Sequence, residues 1–143
     1  MSNYQALIQD RIYFGGADDV PHMIEDAKCE IIVDLRGEAS EIDHSDEKAT
    51  KIVVPLGDNT DTPQDVLFHQ AISHVVDAYH SGKRVGFHCG GGKGRTGAVA
   101  VGTLIELGLA RTIEEAEQKA KAIRPVIHIR EPQREALTKL YPK

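Results

Sequence analysis

The sequence predicts an α/β fold: a central, mostly parallel, twisted sheet of four to five strands flanked by helices. Three observations predict it. Short apolar runs, each closed by glycine, proline or charge, alternate with longer segments of helical periodicity. That alternation implies a sheet covered by helices rather than a set of hairpins. One run also leads directly into a glycine-rich turn and then into a helix of small apolar residues, a strand–turn–helix unit. With 143 residues, 41% of them apolar and 27% charged, the chain has material for one domain with a proper core.

The elements follow in order. Asp10 to Gly16 (DRIYFGG) reads as a short strand stopped by two glycines. Asp18 to Lys28 reads as a helix, with acidic residues in its first turn and Pro21 near its start. Glu30 to Arg36 (EIIVDLR) is an apolar run ending in charge, as in a buried strand, and residues 38–50 are a polar loop or weak helix. Lys51 to Leu56 is a third strand whose end is marked by Pro55. After the loop 57–63, Thr62 reads as an N-cap with Pro63 at the first helical position. Phe68, Ile72, Val75, Val76 and Tyr79 then recur at helical spacing until Ser81-Gly82. Lys83 to His88 is a fourth strand, and Thr96 to Leu107 is a small-residue helix suited to burial. Thr112-Ile-Glu-Glu115 is a capping box opening another helix, which Arg124-Pro125 stops, and a last helix begins near Pro132.

The turn itself, Cys89-Gly-Gly-Gly-Lys-Gly-Arg-Thr96, poses the functional question. Glycine at this density costs backbone entropy, so bare amides or a close backbone approach are needed there. A strand–glycine turn–helix can cradle phosphate with its amides and the helix N-terminus. The ATP-type loop fails, because Phe87 and Gly94 fall where its first glycine and its magnesium-binding hydroxyl must be. Gly92, Gly94 and Gly97 match the dinucleotide fingerprint in spacing, but that fingerprint explains neither Cys89 nor the turn's late place in the chain. The remaining reading uses every unusual residue. Dipole, amides and Arg95 favour a thiolate at Cys89, and the same groups hold phosphate oxygens opposite it.

The segment His88-Cys89-Gly-Gly-Gly92-Lys-Gly-Arg95-Thr96-Gly97 resembles the H-C-x2-G-x2-R-[ST]-G signature of cysteine-based protein tyrosine and dual-specificity phosphatases. Arg11–Gly16, Ile31–Arg36 and Val53–Asp58 resemble the strands that precede this loop in the small dual-specificity enzymes. The resemblance implies a single phosphatase catalytic domain across residues 1–143. It implies a phosphocysteine intermediate at Cys89, with phosphate held by the backbone of Gly90, Gly91, Gly92, Lys93 and Gly94 and by Arg95. Thr96 is expected to hydrogen-bond the sulfur, and His88 to orient the loop from beneath. The leaving oxygen needs a proton. Asp58, 31 residues before Cys89, is the first candidate for that acid, and Asp61 in the same loop is its rival. Gln133 resembles the glutamine with which some members position the hydrolytic water; a solvent-facing helix residue is the other reading. Asp34 and Arg36 are read as supports of the site.

The likeness implies phosphotyrosine in proteins as substrate, with phosphoserine and phosphothreonine beside it. No lysine-asparagine-arginine-tyrosine loop is present to deepen the pocket, which favours the shallower dual-specificity type. Lys93 resembles the lysine of phosphoinositide-cleaving members, although Gly90 stands where those carry a second basic residue. A phosphoinositide or inositol phosphate is therefore the alternative substrate, and an inactive phosphate-binding module the alternative function. No cofactor or metal is expected; His69, His74 and His80 do not share a helix face. A net charge of -5 argues against a nucleic-acid partner. No apolar run approaches a membrane span, no secretory signal is read, and Cys29 is expected to be a packed thiol rather than a disulfide partner. A cytoplasmic monomer is the expectation.

Overall fold

In the computed structural model, residues 4–36, 49–56 and 63–141 are described. Five strands form one sheet: β1 (Gln5–Ile8), β2 (Ile12–Gly15), β3 (Ile31–Arg36), β4 (Thr50–Leu56) and β5 (Val85–His88). Their order is β1-β2-β5-β3-β4, with β1 antiparallel to β2 and the other pairings parallel. The helices are α1 (Val20–Glu25), α2 (Gln64–His80), α3 (Arg95–Glu106), α4 (Ile113–Ile123) and α5 (Glu131–Leu140). The expected α/β class and its mostly parallel sheet are thus observed.

The strand pleat divides the apolar residues between two layers. Ile12, Phe14, Val33, Leu35, Val85 and Phe87 face the major core, which is closed by α2, α3, α4 and α5. Tyr13, Ile32 and Cys29 face a smaller cluster with Val20, Met23 and Ile24 of α1. Phe14 and Phe87 are ladder partners on β2 and β5, with ring centroids 5.8 Å apart. α3 is buried almost throughout, as its small residues require for packing between sheet and helices. The carboxyl ends of β2, β5, β3 and β4 come together at one edge, where open α/β sheets bind their ligands.

Several sequence expectations shift. β1 was not expected; it is a four-residue antiparallel edge strand, too short to show a period, joined to β2 by a turn in which Asp10 has φ 66°. The helix expected over residues 18–28 begins as a 3-10 turn at Ala17–Asp19, and its α part ends at Glu25. Lys28 then takes φ 63°, which turns the chain into β3. Pro63 is the N-cap of α2 rather than its first helical residue, because its ψ of 143° is still extended. Thr112 Oγ1 does accept from the Glu115 amide at 3.0 Å, but Glu115 returns its bond to the Arg111 amide rather than to Thr112. Thr62 and the loop 38–48 lie outside the described residues, and Arg36 is described in its backbone only. Among the described residues no helix is long and apolar enough to cross a membrane.

Candidate active site

The turn after β5 is shaped by where its carbonyls go. Each backbone group must find a partner when shielded from water. Here every carbonyl from Cys89 to Gly94 is held on the outer side of the turn. His88 Nδ1 donates to the Cys89 carbonyl at 3.2 Å, and the Ala17 amide to that of Gly90 at 3.0 Å. Arg124 Nη2 donates to the Gly91 carbonyl at 3.4 Å, and its Nε to that of Gly92 at 2.8 Å. The His128 amide takes Lys93 at 3.1 Å and the Ala98 amide takes Gly94 at 2.9 Å. With the carbonyls tied outward, the amides are left to face the centre as an anion nest. Gly92 has φ 70°, and a Cβ there would stand 2.6 Å from the Gly15 backbone, so only glycine fits.

Cys89 sits at the centre of this nest, 3% exposed. Thr96 Oγ1, in the first turn of α3, donates to its sulfur at 3.1 Å. Burial pushes the thiol up. The Thr96 hydroxyl and the amides of Thr96, Gly92 and Lys93 outweigh that effect and hold it below the ordinary cysteine value. Cys29 is the contrast: buried beneath Gly86 in the small cluster, its thiol is pushed up to about 12 by burial, which Arg84 only partly offsets. Iodoacetamide is therefore expected to label Cys89 alone in the native protein. Because the thiolate reacts, labelling should reach its plateau at a pH below that of an ordinary cysteine, and Thr96→Ala should move the midpoint upward. An unshifted profile in Thr96→Ala would show that the hydroxyl does not hold the thiolate.

Arg95, the first residue of α3, anchors its Nη1 on the Leu56 carbonyl at 2.8 Å and the Leu35 carbonyl at 3.5 Å. These acceptors are at the carboxyl ends of β4 and β3, so the guanidinium is tied to the strand ends beside the cavity. The opening is a cavity of about 430 Å³ lined by Cys89, Gly91, Lys93, Gly94, Arg95, Gln64, His128, Arg130, Pro132 and Gln133. Gln133 is brought to the site. A Cβ on Gly94 would lie 2.8 Å from its Oε1, and that oxygen accepts the Arg130 amide at 2.8 Å, capping α5. Asp58 and Asp61 lie outside the described residues.

Beneath the turn, Asp34 and His88 are ladder partners on β3 and β5, both 0% exposed. His88 Nε2 lies 3.9 Å from Asp34 Oδ1, and Lys51 Nζ lies 3.4 Å from Asp34 Oδ2. Lys51 and Asp34 thus lie on the far side of the imidazole whose Nδ1 holds the Cys89 carbonyl. Three residues were missed. Arg124 was read only as a helix stop, yet it is 2% exposed, under the turn. His128 and Arg130 line the cavity, and the alternation in Val126-Ile-His-Ile-Arg130 was their available signal.

The family described as Swiss Army Knife protein, DSP-PTPase phosphatase domain, matches residues 18–138. No curated protein matches the chain. Among solved structures, human DUSP28 superposes with a TM-score of 0.81 at 16% identity, covering 97% of this chain and 93% of its own. PTPMT1 in complex with PI(5)P gives 0.79 at 18%, covering 97% and 94%. Tk-PTP in its active form gives 0.79 at 22%, covering 98% and 97%. These likenesses establish a shared fold, and the family match spans most of the sequence that builds the sheet, the thiol nest and α5. The chain belongs to the DSP-PTPase phosphatase domain family, a branch of the small dual-specificity-like, cysteine-based phosphatases.

Proposed function

We propose that the chain hydrolyses phosphomonoesters through a phosphocysteine at Cys89. The observation that carries this reading is the Thr96-bonded, acidified thiol inside a ring of inward amides. The thiolate attacks phosphorus, so an S–P bond forms as the ester P–O bond breaks. Arg95 and the amides of Gly90 to Gly94 bind the phosphoryl oxygens and stabilise the charge that develops on them. Asp58, with Asp61 as its rival, protonates the leaving oxygen and then takes a proton from the water that attacks the intermediate. Gln133, in the cavity wall, holds that water. The S–P bond breaks, phosphate leaves, and Thr96 receives the thiolate again.

Two substrate classes divide the reading. The dual-specificity likeness supports phosphotyrosine in proteins, with phosphoserine and phosphothreonine beside it. Lys93 in the cavity wall supports a phosphoinositide or inositol phosphate, as does the neighbour solved with PI(5)P. An inactive binding module is disfavoured, since binding alone has no use for an acidified thiol bonded to Thr96. Phosphate release from a phosphotyrosine peptide and a soluble phosphoinositide, with Cys89→Ser as control, tests the reading. Asp58→Ala is expected to lose about 100-fold with poor leaving groups and much less with good ones. An even loss across a leaving-group series would place the acid elsewhere, Asp61 first.

A further inference from the structure

The connection from α4 to α5 makes a turn at residues 125–126 and then borders the cavity with alternating burial. Ile127 and Ile129 are buried, whereas His128 and Arg130 are exposed and line the cavity. Ile127 is seated against Gly97 of α3, where a Cβ would stand 2.6 Å from its Cγ2. The His128 amide is tied to the Lys93 carbonyl at 3.1 Å, and the Arg130 amide to Gln133 Oε1 at 2.8 Å. The backbone beneath both side chains is therefore fixed beside the phosphate turn, which lowers the cost of using them on a ligand.

The charge there exceeds what one phosphate needs. A phosphate in the nest is already matched by Arg95, the inward amides and the α3 terminus. The Lys93 ammonium and the Arg130 guanidinium line the same cavity beside the His128 imidazole, a hydrogen-bonding group; none of the three makes an ion pair among the described residues, and no described carboxylate lines it. In a chain of net charge -5, the described lining is a local excess of positive side chains, of the kind that concentrates an anionic ligand.

We infer that His128 and Arg130, with Lys93, form a second anion subsite that holds another phosphate of the same small substrate. The inference rests on the phosphatase reading and decides between its two substrate classes in favour of a polyol carrying at least two phosphates. The cavity, at about 430 Å³, is of small-molecule size. A polyol ring presents two phosphates within one such volume. A peptide presents them on separate side chains, spaced along an extended backbone by about 3.3 Å per residue. A free inositol phosphate and a lipid headgroup share this chemistry.

The test compares wild type with the double variant His128→Ala/Arg130→Ala on four probes: a soluble inositol bisphosphate, its dioctanoyl lipid counterpart, a doubly phosphorylated peptide and para-nitrophenyl phosphate. Wild type should prefer the polyol bisphosphates, and the preferred one of the two identifies the free or lipid source. The double variant should lose roughly 10- to 100-fold in kcat/KM on them, mostly through KM, and less than about threefold on para-nitrophenyl phosphate. Equal losses on all probes, or a peptide preferred to both polyols, would overturn the subsite. If wild type fails to turn over even para-nitrophenyl phosphate, the phosphatase reading falls. Calorimetric binding of the inositol bisphosphate to Cys89→Ser, with and without the two changes, then decides the subsite alone. An affinity unmoved by the changes overturns it.

Discussion

Replacing Cys89 by serine is expected to lower kcat by at least about 10⁴-fold while leaving ligand binding intact. The hydroxyl is smaller than the thiol and fits where it stood, and the turn that surrounds it is built from backbone. Its amides are aimed by carbonyl bonds to Ala17, Arg124, His128 and Ala98, none of which involves the sulfur. Binding should survive and can tighten, because a neutral hydroxyl does not repel a phosphate as a thiolate does. The chemistry should not survive. The nest and Thr96 carry the thiol below its ordinary value, but an alcohol starts far above that range and stays protonated. The measurement is turnover of para-nitrophenyl phosphate beside calorimetric binding of inorganic phosphate. A serine variant within tenfold of wild type would remove the phosphocysteine, and loss of both readouts would mean that the sulfur shapes the nest. Mass spectrometry of acid-quenched wild type should show one added phosphoryl group on the peptide bearing Cys89.

The parts of this site that were legible in the sequence are those written in local chemistry. Cys89, Arg95 and Thr96 share one strand–turn–helix unit, so their spacing alone brings them together, and the glycines between them mark a backbone working as a ligand. β3, β4 and β5 were legible because each is an apolar run between breakers. What was not legible depends on contacts made across the fold. β1 has four residues and earns its place only by pairing with β2. Arg124 looked like the last residue before a proline, because nothing local says that its side chain turns inward under the glycine turn. His128 and Arg130 alternate with buried isoleucines, but the stretch is not a strand in any sheet, so its period carried no obvious address. Gln133 was named only from a resemblance, with a solvent-facing helix residue as the other reading, and its position is set across the fold: it caps α5 and lies against Gly94 at once.

Arg124 is expected to matter more than any residue outside the turn itself. Its guanidinium makes bonds that no other side chain in the site makes: Nε to the Gly92 carbonyl at 2.8 Å, Nη2 to that of Gly91 at 3.4 Å, and Nη1 to Gln5 Oε1 at 2.7 Å on β1. Burial lowers the pKa of its guanidinium from the ordinary arginine value, and the charges of Asp19 and Cys89 partly offset that. Removing it strips the donors from two carbonyls under the turn, at about 1–3 kcal/mol for each group left unsatisfied. The cheapest relief is rotation of those peptides. Gly92 can take almost any φ, so the rotation is open to it. A rotated peptide points its carbonyl at the thiolate and its amide away, which reverses the sign of the field where the phosphate binds. Arg124→Leu should therefore lose about 10²- to 10³-fold in kcat/KM, the scale of losing an oriented donor from a charge-stabilising site. The alkylation midpoint of Cys89 should rise in parallel. Arg124→Lys, which keeps the charge but can serve fewer acceptors from its single nitrogen, should fall between. A general loss of stability would lower the melting temperature and leave the midpoint of the surviving folded protein where it was. A wild-type midpoint in folded Arg124→Leu would show that the turn holds its own peptides, and that the arginine only fills space beneath them.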